Sequence, residues 1–80
     1  MANPEYFNRL KEGVNVWNRW RNENREVEID LRGLDMSGFN LSGFNLSKGN
    51  FANADFTNAL LIGADLRECN LDSADLRNAD

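Results

Sequence analysis

Thirteen Asp and Glu stand against nine Lys and Arg in this 80-residue chain, for a formal charge of −4, with one Cys and no His. Those are the side chains from which chemistry would have to be built, and the counts already remove several kinds. Without imidazole there is no Ser-His or Cys-His nucleophile pair, no imidazole zinc ligand and no proton shuttle poised near neutral pH. Cys69 alone cannot build a disulfide framework or a Cys-based zinc site, so nothing argues for an oxidising compartment. With no base to activate it, Cys69 reads as a buried structural thiol. There is no glycine-rich phosphate loop, no carboxylate pair in a recognisable cleft and no metal cluster. The expectation is therefore no catalytic residue, no cofactor, no metal and no enzyme. The acidic balance also counts against direct nucleic-acid binding and against anionic membranes, which need clustered Lys and Arg.

Two kinds of element must carry these residues. Residues 3 to 23 have the period of a helix: Tyr6, Phe7, Leu10, Val14, Trp17 and Trp20 recur at steps of three and four. Asn8, Lys11, Asn15, Asn18 and Arg19 fall on the other side. Asn3 suits the N-cap, Pro4 the first helical position and Glu5 the positive end of the dipole. Beyond it, Val27, Ile29 and Leu31 alternate with Glu26, Glu28 and Asp30, which suggests a strand. The start, Met1 to Glu5, has neither a basic stretch nor a run of seven apolar residues, so no secretory signal is read there. The longest apolar run, Ala59 to Ile62, is far below a membrane span, and a cytoplasmic protein is expected.

From Ile29 onward the chain repeats every five residues. Large apolar centres stand at Leu31, Met36, Leu41, Leu46, Phe51, Phe56, Leu61, Leu66, Leu71 and Leu76. Two residues before each stand Ile29, Leu34, Phe39, Phe44, Gly49, Ala54, Ala59, Ala64, Cys69 and Ala74. Between the two comes Asp or Asn in nine units of ten, with Leu60 the exception. A period of five scatters residues around a helix and sends them to alternate faces of a flat strand. All ten centres share one interior only if the chain bends once per unit, and the Asx, Ser and Gly residues suit such bends. A chain that bends the same way each time closes on itself and climbs, as a solenoid whose coils stack about 4.8 Å apart. The division is a helix and linker over 1–28 and a repeat domain over 29–80.

The unit Ala-Asp-Leu-X-X, as in Ala64-Asp65-Leu66-Arg67-Glu68 and Ala74-Asp75-Leu76-Arg77-Asn78, resembles the pentapeptide-repeat family. The leader from Val14 to Arg21 also looks like the helix preceding the repeats in many bacterial, especially cyanobacterial, members. The resemblance implies a mainly β fold, a right-handed quadrilateral β-helix with four units per coil and about two and a half coils, with the N-terminal helix as a cap. Residue n then lies beneath n+20. Leu31, Phe51 and Leu71 form one interior column and Met36, Phe56 and Leu76 the next. The early inward residues Ile29, Leu34, Phe39 and Phe44 imply a wider first coil that meets the cap through Leu10, Val14, Trp17 and Trp20. At the other end Leu71, Leu76 and the last coil are expected to lie open. Either the chain is a piece of a longer array, or a second copy or another protein covers that end.

Stacking would also place Asp35, Asp55 and Asp75 in one outward column, with carboxylates roughly 5 Å apart. Such a column resembles a row of phosphates or a place to collect cations, but Thr57 and Arg77 dilute it, and the favoured reading is that Asp fills the ordinary turn position of the unit. Single carboxylates at that spacing make no hard-cation cage. Lys48 is expected to pair with Glu68 above it. Leu60 and Ile62 occupy outward positions that are elsewhere polar or small, and so are candidates for anchoring a partner. The leading expectation is a non-enzymatic protein-interaction or scaffold module, with a homodimer among its forms. The alternative, implied by the family, is an acidic DNA mimic acting on a type II topoisomerase such as DNA gyrase. Residues 29–80 carry all of the net charge, with eight acidic and four basic groups. Two and a half coils give a rod of only about 12 Å, short for that role.

Overall fold

The computed structural model describes residues 4–80, so the N-cap assigned to Asn3 lies outside the described residues. The single helix expected over 3–23 is two helices, α1 (Pro4–Leu10) and α2 (Val14–Glu23). The break falls at Gly13, whose φ of 109° is open to glycine and strained for other residues. Its carbonyl accepts the first α2 bond, from the Trp17 N–H at 3.0 Å. The turn folds α1 back on α2, so that the Tyr6 and Trp20 rings meet at 5.7 Å. Phe7 reaches past α2 to stack on Phe39, at 5.7 Å and 20°.

After α2 the chain coils with a pitch of twenty residues. Two short strands, β1 (Ile29–Asp30) and β2 (Gly49–Asn50), pair in parallel in the register Ile29 to Gly49. The same offset continues in isolated parallel bridges from Asp35 to Asp55, Asn40 to Leu60, Asn45 to Asp65, Asn50 to Asn70 and Asp55 to Asp75. Regular strand is thus far scarcer than a mainly β fold suggests, and the alternation from Val27 to Leu31 yields only β1. The reason is the bend in every unit, which leaves straight segments too short to extend a ladder.

Each bend is the same turn. The residue two after each centre has φ between 58° and 76°: Gly33, Gly38, Gly43, Lys48, Asn53, Asn58, Gly63, Glu68, Ser73 and Asn78. A positive φ at that place is what a type II turn requires of its third residue. Nine of the turns close with a bond from the next inward residue back to the centre three before it, as in Ala54 N–H to the Phe51 carbonyl at 3.0 Å. Between coils, the N–H of Leu31, Met36, Leu41 and Leu46 reaches the carbonyls of Asn50, Asp55, Leu60 and Asp65 at 2.7–2.9 Å.

The interior is filled. Leu31, Met36, Leu46, Phe51 and Phe56 are fully buried, and the Phe51 and Phe56 rings meet edge-on at 5.4 Å. Gly49 stands where most later units have Ala. A Cβ there would fall on the Phe51 ring and 3.0 Å from the Leu46 carbonyl oxygen. Phe51 thus takes the space an alanine fills elsewhere, which suits a site facing the bulky Ile29. Of the large early residues, Phe39 stacks on Phe7 of α1, Ile29 and Phe44 are buried in one cluster with Leu10 and Trp17, and Leu34 packs against that cluster.

Candidate interaction site on the stacked faces

Four five-residue faces make up one coil, and their outward chemistry is set by the Asx position. All nine Asp and Asn there accept the backbone N–H two residues on, at 2.9–3.2 Å. The abundance of Asp and Asn is therefore a requirement of the turn. Where the residue two on is Ser37, Ser47 or Thr57, its hydroxyl donates to the same oxygen at 2.6–2.7 Å. Where it is Arg32, Arg67 or Arg77, the guanidinium forks onto Asp30, Asp65 or Asp75, with Nη2 at 2.6–2.8 Å from Oδ2. Those forks hold the Asp30 and Asp65 carboxyls at about 2, well below the usual carboxylate range. The bond from Arg77 likewise lowers Asp75, and that from Ser37 lowers Asp35.

Asp35, Asp55 and Asp75 do stack in one column, bridged pair to pair. Its negative field is nonetheless broken, because Arg77 neutralises Asp75 within its own turn. The expected Lys48–Glu68 pair does not form. Both residues sit at left-handed corners, with φ 62° and 59°, and the ion pairs among the described residues are the three Arg–Asp forks alone.

Leu60 and Ile62 interrupt this polar surface. Leu60 lies over Asn40 and is 40% exposed, and Ile62 is 63% exposed. Theirs is the one unit without an Asx side chain to hold the turn. Cys69 is half-buried, and its thiol donates to the Leu46 carbonyl at 2.9 Å. Burial pushes that thiol's pKa up, which makes it a poorer nucleophile.

At the N-terminal edge, α2 substitutes for a missing coil. Trp17, fully buried, donates its indole N–H to the Asn45 carbonyl at 2.7 Å. Asn18 accepts the Asn45 N–H at 2.8 Å and donates to the Gly43 carbonyl at 3.0 Å. Arg21 donates to the Ser47 carbonyl at 3.1 Å. The Asn45 and Ser47 groups occupy places that pair between coils elsewhere in the stack. The structure thus corrects the placement of Asn18 on the outer side of the helix, and adds Arg21, which the apolar pattern did not single out. The signal available was spacing: Arg21 follows Trp17 by one helical turn, and Asn18 follows Val14 likewise. Of the four residues assigned to the cap, Leu10 and Trp17 are buried and Val14 and Trp20 are half-buried against the same cluster.

At the C-terminal edge the centres lose cover. Leu71 is half-buried where an open position was expected, because the coil beneath and the bend beside it shield one side, while Leu76 is 41% exposed. The N–H groups of Leu66, Glu68, Leu71, Ser73, Leu76 and Asn78 point to this edge, with no backbone acceptor among the described residues. A family model of pentapeptide repeats matches residues 27–61 and 50–80, in eight copies. No curated protein and no solved structure matches the chain.

Proposed function

Because the chain belongs to the pentapeptide-repeat family, we propose that it is a non-enzymatic protein-interaction or scaffold module. Its repeats form a right-handed quadrilateral β-helix of about two and a half coils that presents side chains at fixed spacing to another protein or to a second copy. The observation that carries this reading is the adjacent exposed pair Leu60 and Ile62 on an otherwise Asx-bound polar surface. The edge at Leu71 and Leu76 adds a row of free N–H donors on which further coils, a copy or a partner strand can pair. The interior offers no place for substrate, since Phe51 and Phe56 fill it.

Sedimentation over a wide concentration range tests the second-copy form. Self-association abolished by Leu76→Glu assigns it to the edge, abolition by Leu60→Asp with Ile62→Ser assigns it to the face, and a strict monomer removes it. The DNA-mimic alternative receives less support, because Asp30, Asp65 and Asp75 are each paired with Arg in place. Inhibition of supercoiling by purified gyrase at micromolar protein would restore it.

A further inference from the structure

The seam between α2 and the solenoid holds a charge that the stacked coils do not require. Arg21 is only 2% exposed. Its Nη1 donates to the carbonyls of Asn24 and Val27, each at 2.8 Å, and its Nη2 to that of Ser47 at 3.1 Å. All three acceptors are neutral, and Arg21 belongs to none of the ion pairs among the described residues. Burial lowers its pKa, opposed more weakly by Tyr6, Cys69 and Glu26. A buried cation without a counter-anion is an expensive arrangement.

Arg21 also lines a cleft of about 340 Å³, together with Arg25, Lys48, Arg67, Asn22 and Ser47. Four cations and no carboxylate line it, in a chain whose net charge is −4. Cations at the C-terminal end of a helix complement its dipole, which accounts for Arg21 and Arg25. Lys48 and Arg67 come from the opposite wall, on stacked coils, and that explanation does not reach them. Lys48 also borders a neighbouring groove with Glu28 and Glu68, yet forms an ion pair with neither. Arg67 gives Nε and Nη2 to Asp65, leaving Nη1 uncommitted. Arg25 holds Asn22 through its Oδ1 at 2.8 Å, which leaves the Asn22 amide nitrogen as a donor.

We propose that this cleft binds an oxyanion of the phosphate class, a phosphate monoester or diphosphate group, between Arg25 on the helix side and Lys48 and Arg67 on the coil side. The Arg25 guanidinium from one wall, with the uncommitted Nη1 of Arg67 and the Lys48 ammonium from the other, match a multiply charged tetrahedral group with several acceptor oxygens. Arg21 lies behind them as a positioning residue: it joins the helix end to the Ser47 carbonyl and adds its charge to the floor.

Titration of the 80-residue chain with inorganic pyrophosphate and with inorganic phosphate, at constant ionic strength and followed by amide chemical shifts, tests this. The expected result is saturation below about 10 mM, with shifts concentrated at Arg25, Lys48 and Arg67. The double variant Arg25→Gln, Lys48→Gln, at two exposed positions, is expected to weaken binding by roughly ten-fold or more with an unchanged thermal midpoint. No saturation, an equal response to chloride, or undiminished binding by the double variant overturns the proposal. So does tighter binding of a poly-glutamate peptide than of pyrophosphate, which would assign the cleft to carboxylates.

Discussion

The first and last coils are made from the same five-residue unit, yet they differ in how completely they are closed. Leu31, Met36, Leu41 and Leu46 of the first coil are at most 1% exposed, whereas Leu61, Leu66 and Leu71 of the last are half-buried and Leu76 is 41% exposed. Turn chemistry does not separate them: Asp30 and Asp65 make the same Asx bond and the same Arg fork. The difference is α2, whose Trp17, Asn18 and Arg21 supply donors and acceptors that match the free edge of one face. The unit therefore carries the instruction to bend and stack, while closure of a coil comes from whatever packs against it.

Removing the plug should erase that difference most strongly. Trp17→Ala is expected to cost about 3–5 kcal/mol in urea unfolding, against under about 1 kcal/mol for Leu76→Ala, which is already partly in water. Equal costs at the two ends would break the comparison. Within a single column, Leu46→Ala should cost about 2–5 kcal/mol and Leu66→Ala about half as much, since water already reaches the second site. Between the first two coils, Gly49→Ala should destabilise by about 1–3 kcal/mol, because the Phe51 ring must give way and the Leu46 carbonyl cannot.

On the last coil, Glu68→Gly should raise stability by roughly 0.5–1 kcal/mol. The left-handed φ of 59° strains a side-chain-bearing residue more than glycine's extra unfolded-state freedom costs. The smallest expected effect is shared by both coils. Asp30 and Asp65 titrate at about 2 when folded, against an ordinary 3.8, so their contribution is present above pH of about 4 and is lost as pH falls through about 2. Asp30→Asn with Asp65→Asn keeps the turn acceptor and removes the fork. The acid limb of the stability curve should flatten over that window; an unchanged limb would mean that these surface forks add nothing.

Much of this was legible in the residues. The ten centres, the bend in each unit and the Asx role all follow from a five-residue period, because each depends on neighbours no more than three residues away. The anomaly at Leu60 and Ile62 was visible for the same reason, as a break in a regular pattern. Asn18 and Arg21 were not, since a polar residue on an amphipathic helix ordinarily faces water, and nothing local announces that backbone groups at Gly43, Asn45 and Ser47 await it. The division of the helix at Gly13 had a local signal in the glycine itself. It becomes decisive through the contact that the break allows between Phe7 and Phe39.

What the sequence determined by itself is the turn: small or Asx residues at set places and a centre pointing inward, written in short-range hydrogen bonding and the five-residue period. Only the tertiary structure decided the rest: which edge is covered, that Lys48 and Glu68 stay apart, and that Arg21 is buried beside Lys48 and Arg67 around one cleft. Those outcomes depend on groups nineteen or more residues apart in the chain. Their positions relative to one another exist only once the coils have closed.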